Sequence, residues 1–225
     1  MHDPARKSVR EKKKAMPFRN RVDPFGDIHA HPARGLFTGN RGVIHDPETR
    51  TLLSRRWTTK AWIVCACDFR GRRREVMGRN APSGGAGWTE LFFLDEVTAL
   101  AAGHRPCYYC RRDAAKEFAR CFAAARKRES VSAPEMDAVL HGQRRAAGGE
   151  SVGVGHIRSL PDGAMVEAAG RCFAIREGQP LEWTFEGYRN PESPPKTHAA
   201  TLLTPTATVG ALAAGYRPVW HPSAR

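Results

Sequence analysis

Residues 92–111, FFLDEVTALAAGHRPCYYCR, decide the reading of this chain. An apolar run (ELFFL, 90–94) predicts a strand. Asp95 then stands as an N-cap for a short helix over 96–102, and Gly103 stops it. Pro106 forces the residue before it out of the helical region, so the chain must leave that helix extended. It runs directly into Cys107-Tyr-Tyr-Cys110, a C-x-x-C whose two sulfurs can reach one tetrahedral ion with metal–sulfur distances of about 2.3 Å.

The same lead-in occurs twice. Residues 97–106 read VTALAAGHRP and residues 209–218 read VGALAAGYRP, with eight of ten positions identical. The second copy continues into VWHP and carries no thiol. The scaffold therefore exists without cysteines, and the first copy's thiols serve something local.

Working outward, AWIVCAC (61–67) is short, apolar and β-rich and predicts a buried strand. Cys65 and Cys67 would share a face of it, because side chains alternate with period two. They are the expected partner pair, giving a zinc site of Cys65, Cys67, Cys107 and Cys110, with His45 as fourth ligand should Cys67 not bind. A redox dithiol fits less well, since that reading needs C-x-x-C at the strand-to-helix turn of a βαβ unit and the Gly-x-Arg-Pro lead-in does not fit it. His104 would lie beside the ligands. Cys121 and Cys172 read as core.

Further helices are predicted over 113–128, with Phe118 and Phe122 on one face, and over 134–146. Short strands are expected at 164–168, 171–176, 181–185 and 201–203, with turns at 161–163 and 177–178. The expected whole is an α+β protein. Residues 1–16 form a flexible basic arm, with Met16 an alternative start. Residues 17–150 form a zinc-bearing half of short strands and helices. Residues 151–225 form a β-rich half bearing the metal-free repeat.

The chain has 225 residues, with 36 Lys and Arg against 23 Asp and Glu, a net charge of +13. The excess is clustered: residues 50–79 hold nine basic against two acidic residues, and 104–128 hold eight against two. Such clusters displace counterions from phosphates, so the expected partner is nucleic acid, DNA in preference. Arg70, Arg72, Arg73, Arg74, Arg105, Arg111 and Arg112 are the candidate phosphate contacts. Tyr108, Tyr109, Trp57, Trp62 and Trp88 lie near them and suit base stacking or core packing. No apolar run is long enough to span a bilayer, and no basic amphipathic helix points to a membrane surface. No Walker-type loop or dinucleotide fingerprint is found, so no nucleotide cofactor is expected. With no secretory signal, the expected compartment is the cytoplasm, with reduced thiols.

The rival reading is a zinc-dependent enzyme acting on nucleic acid, by hydrolysis or by alkyl transfer to a zinc thiolate. His45, Asp46, Asp137 and His141 would be its acid–base candidates. Asp137 and His141 are four apart and would share a helix face. A third reading is an interaction scaffold whose charge serves solubility.

The segment 92–111, with Trp57-Thr58-Thr59 and the strand carrying Cys65 upstream, resembles the zinc-binding domain of the Ada family of DNA-repair and regulatory proteins. The resemblance covers 57–111. It implies four zinc-bound cysteines, contact with DNA, and methyl transfer from a DNA phosphotriester to a zinc-bound thiolate. The chain departs from that family in having C-x-C rather than C-x-x-x-C, a 39-residue gap between the pairs, and no helix-turn-helix afterwards. From about Asn20 the chain also resembles a widespread group of bacterial proteins, which implies no activity.

Overall fold

The computed structural model describes residues 16–71, 73–145, 149–191 and 199–225. The expected arm at 1–16, apart from Met16, and Arg72 lie outside them. The fold is α+β. Strands β1 (Arg19–Val22), β2 (Ile28–Ala30), β3 (Phe37–Asn40), β4 (His45–Asp46), β5 (Thr51–Leu52), β6 (Ile63–Ala66) and β7 (Leu91–Phe93) precede helix α1 (Glu96–Ala101). Strand β8 (Arg105–Pro106) follows, then helices α2 (Arg112–Ala125) and α3 (Ala133–Arg145). The remainder is β9 (Ser151–Gly153), a 3-10 turn, β10 (Met165–Ala168), β11 (Arg171–Arg176), β12 (Gln179–Thr184), β13 (Gly187–Arg189), β14 (Ala199–Leu202) and helix α4 (Thr206–Ala213).

Two six-stranded sheets result. The first is mixed, in the order β2-β1-β7-β3-β6-β8; the second is antiparallel, in the order β13-β12-β11-β10-β14-β9. Strands β4 and β5 pair separately. Strand β8 lies at the edge of the first sheet, where Pro106 removes no needed ladder donor.

Helix α1 sits where all layers meet, and its six residues are all buried. Asp95 caps it, accepting from the Thr98 N–H at 2.9 Å. Its small residues allow three-sided packing. Ala99 and Ala102 face the first sheet with Val64, Leu91 and Phe93. Val97 and Ala101 meet Met165, Leu181 and Tyr188 of the second sheet. Leu100 joins Phe118, Phe122, Met136 and Leu140 among the helices.

The repeat seen in the sequence is a repeated helix stop. Gly103 at φ +80° and Gly215 at φ +107° occupy the left-handed position after their helices. The N–H groups of Gly103 and His104 donate to Leu100 O and Ala99 O; those of Gly215 and Tyr216 donate to Leu212 O and Ala211 O. This is the same two-bond closure in both copies, and it needs a residue that tolerates positive φ. Beyond the stop the copies diverge. The first becomes β8. The second runs across the start of α1, where the Glu96 N–H donates to Val219 O at 3.1 Å, the Val219 N–H donates to Glu96 Oε2 at 2.9 Å, and the His221 N–H donates to Asp95 Oδ2 at 3.0 Å.

The predicted helices over 113–128 and 134–146 correspond to α2 and α3, and Cys121 and Cys172 are core residues. The extended segment expected after Gly103 is β8, whereas β1 to β5, β9 and β13 had no expected positions; each is two to four residues long, too short to show a period. Among the described residues no helix is long and apolar enough to cross a membrane.

Candidate metal centre

Strand β8 runs parallel to β6, with Ile63 opposite Arg105 and Val64 opposite Pro106. The Cys107 N–H continues this ladder, donating to Val64 O at 3.0 Å. That register brings the turn after β8 beside the end of β6. The turn closes when the Arg111 N–H donates to Cys107 O at 3.0 Å, and α2 starts at once. The Sγ atoms of Cys65, Cys107 and Cys110 lie within 4.8 Å of one another. Three sulfurs on one tetrahedral zinc would be about 3.8 Å apart, so modest closure onto an ion suffices.

Backbone N–H groups point at these sulfurs. The Tyr109 N–H donates to Cys107 Sγ at 3.4 Å, and the Cys110 N–H also faces that sulfur. The Ala66 N–H faces Cys110 Sγ. Donors aimed at sulfur stabilise thiolate over thiol. The three groups titrate as one set. Cys107 is drawn well below the ordinary thiol range by hydrogen bonds from Cys110 and Cys65, against burial. Cys65 is pushed up by its hydrogen bonds to Cys107 and Cys110 and by burial, and Cys110 is pushed up mainly by Cys107. One proton-poor sulfur held by two proton-bearing neighbours is a set ready to exchange protons for a soft divalent cation. The three residues could hold a metal ion.

The fourth expected cysteine is placed differently. Cys67 is exposed, lies beyond the end of β6 at Ala66, and is not among the three converging residues; its charged neighbour is Arg21. His45 is not there either. It is buried, its Nδ1 is 2.7 Å from Thr89 Oγ1, and its Nε2 is 3.4 Å from Gly78 O. Asp46 caps its own turn, accepting from the Glu48 N–H at 2.8 Å. Asp137 forms a two-pronged ion pair with Arg105, Nε and Nη2 each donating at 2.8 Å. His141 packs edge-on to Trp57, with ring centroids 5.5 Å apart. His104 packs against Trp62 and Phe93. The acid–base candidates thus serve separate local structures, and no His, Asp or Glu among the described residues joins the sulfur group.

The arginines divide in two. Arg105 is buried against Asp137, and Arg111 grips Glu96 through both Nη atoms at 2.8 and 2.7 Å while lying 4.4 Å from the Phe37 ring. Arg74 donates to Glu90 at 2.7 Å and lies over Trp88. These three brace the fold. Arg70, Arg73 and Arg112 are exposed. Arg70 lies 5.1 Å from the Phe69 ring and 5.9 Å from that of Tyr109, which is 55% exposed at the tip of the cysteine turn. Sequence reasoning missed two contributors. Glu96 fixes the residue that follows Cys110, and Phe69 packs edge-on to Tyr109 at 5.2 Å. The N-terminal position of Glu96 in its helix gave only a dipole signal. No family model matches the chain, and neither a curated protein nor a solved structure is significantly similar to it.

Proposed function

We propose that the chain is a cytoplasmic zinc-binding protein whose Cys65, Cys107 and Cys110 hold a structural Zn²⁺, and that the surface built on this centre binds nucleic acid, with DNA preferred. The observation that carries the reading is the convergence of three sulfurs from a strand and a tight turn, with backbone N–H groups aimed at two of them. An all-sulfur donor set of this kind suits Zn²⁺ among the common divalent ions. When bound, the ion would supply the charge that keeps the thiols ionised and would tie β6 to the turn that carries Tyr109.

What supports nucleic acid is the chemistry on that turn. Tyr109 and Phe69 offer aromatic faces, Arg70 flanks both, and Arg73 and Arg112 are exposed nearby in sequence. From Arg112 the exposed side of α2 continues through Lys116 and Arg120 at four-residue spacing. Bases stack on aromatic rings and phosphates meet the cations.

Binding to a short duplex and a short single strand, followed across salt, tests this. Affinity should fall steeply between about 50 and 200 mM salt, and the triple variant Arg70→Gln, Arg73→Gln, Arg112→Gln should reduce the log–log slope by about 2 to 3. Tyr109→Ala should weaken single-strand binding by roughly 5- to 100-fold. A salt response that is flat for the parent chain removes the nucleic-acid reading and leaves the metal centre standing.

A further inference from the structure

Two arginines near Trp62, one fully buried and one partly buried, have no carboxylate within ion-pairing range among the described residues. Arg41 is fully buried; its Nη1 donates to Gly26 O at 2.8 Å, its Nε lies 3.4 Å from His104 Nε2, and its Nη2 has no hydrogen-bond partner. Arg144, from α3, donates to Gly103 O at 3.0 Å and Lys60 O at 2.8 Å, and its buried Nε has no partner. The two guanidinium carbons lie 3.9 and 4.2 Å from the Trp62 ring, whose own Nε1–H is also buried and unpartnered. Among the described residues neither arginine has a carboxylate in ion-pairing range, unlike Arg74, Arg105 and Arg111. Burial first, and then repulsion from Arg56 and Arg144, pushes Arg41 down to about 9, against a smaller opposing pull from Asp23 and Asp27. A buried cation facing other cations is costly unless an anion completes the group.

The room for one is adjacent. A cleft of about 900 Å³ lies between the β1–β2 loop, the segment before β6, α3 and β14, and Arg56, Trp57, Trp62 and Arg144 line it. Gly26 lines it too, and a Cβ there would stand 3.3 Å from Arg41 Nη2, so that unpartnered nitrogen lies just behind the wall. Trp57 is 38% exposed at this cleft. Glu150 and Glu167 also line it. These carboxylates would repel a bare polyanion filling the whole space, but they accept well from ring and amino N–H groups. The cleft therefore asks for a molecule with a doubly negative group, a flat aromatic body and N–H donors.

We propose that this cleft binds a mononucleotide unit, its phosphomonoester against Arg144 and Arg56 above buried Arg41, and its base against Trp57; Arg56 also pairs with Asp27 at 2.8 Å and reaches the cleft from its rim. The phosphomonoester carries close to two negative charges at neutral pH, which suits Arg144 at the wall and Arg41 just behind it, neither of which has an ion-pair partner among the described residues. The unit is either a free nucleoside monophosphate or the phosphorylated end of a strand. The site is separate from the sulfur centre: Trp62 immediately precedes β6, whose other end carries Cys65.

Calorimetry and tryptophan fluorescence on the full chain test it, with guanosine, adenosine and cytidine monophosphates, the parent nucleosides and inorganic phosphate as probes. At least one monophosphate should saturate the protein below about 1 mM, at least tenfold tighter than its nucleoside and than phosphate alone. Arg56→Gln and Trp57→Ala, both at the exposed rim, should each weaken it about tenfold with an unchanged circular-dichroism spectrum. A short oligonucleotide with a 5′-phosphate that outcompetes its 5′-hydroxyl form assigns the ligand to strand ends; competition by neither assigns it to the free nucleotide, and equal competition by both overturns recognition of a phosphomonoester. The proposal is overturned if no monophosphate saturates the folded chain up to about 10 mM, if nucleoside and nucleotide bind alike, or if the folded Arg56→Gln and Trp57→Ala chains both bind as the parent does.

Discussion

Removing the metal should lower the melting temperature of the zinc-loaded chain by about 10 °C or more, and the double variant Cys107→Ser, Cys110→Ser should retain no zinc. Three-sulfur coordination would cross-link the edge of the first sheet to the start of α2, and α2 contributes Phe118 and Phe122 to the helix core. Structural zinc in small fingers is worth about 10–16 kcal/mol, because nothing else folds them. Here β6 and β8 stay paired through backbone bonds such as Cys107 N–H to Val64 O, so only part of that free energy falls on stability. A share of roughly 3–5 kcal/mol corresponds to ~10–15 °C for a chain of this size. Calorimetric melting with and without a chelator, beside elemental analysis of both proteins, measures it. Undiminished metal in the double variant, or coincident melts, would defeat the assignment.

Glu96→Ala should be as damaging by a different route. The Glu96 carboxylate is fully buried and answers three groups: both Nη atoms of Arg111, the Tyr216 hydroxyl at 2.6 Å, and the Val219 N–H. Truncation leaves the Arg111 guanidinium buried without its partner, a loss of about 3–5 kcal/mol. The expected fall in melting temperature is again about 10 °C. Glu96→Gln keeps the shape and a hydrogen-bond acceptor but not the charge, and should lose less. Because Arg111 follows Cys110, zinc affinity should fall in Glu96→Ala, whereas a remote core truncation such as Ile175→Ala should melt early with zinc affinity retained. Equal stability of Glu96→Ala and the parent would show that the carboxylate contributes nothing net.

The parts legible in the sequence were local. The helix stop at Gly103 and its copy at Gly215 are written in a few adjacent residues, as is the C-x-x-C turn. Cys65 could be assigned because its strand is short, apolar and β-branched. The period-two rule that added Cys67 holds only inside a strand, and β6 ends at Ala66. The arginines could not be sorted from sequence. Arg70 and Arg105 look alike until Asp137, 32 positions beyond Arg105, arrives to bury one of them. The same distance effect hid Arg41 and Arg144, whose shared neighbour is Trp62.

The crossing of the second helix stop over the start of α1 also orders events in time. Asp95 and Glu96 are wholly buried, yet much of what satisfies them arrives more than 90 positions later, from Tyr188, Tyr216, Val219 and His221. While the ribosome is still making the second sheet, Asp95 has only Thr98 and Glu96 only Arg111 where the central helix begins, and their remaining acceptor capacity is unanswered. Those acids stay hydrated until the last partners emerge. The nascent first half is therefore unfinished at its centre, and the molecule closes as a unit only when translation has passed residue 221.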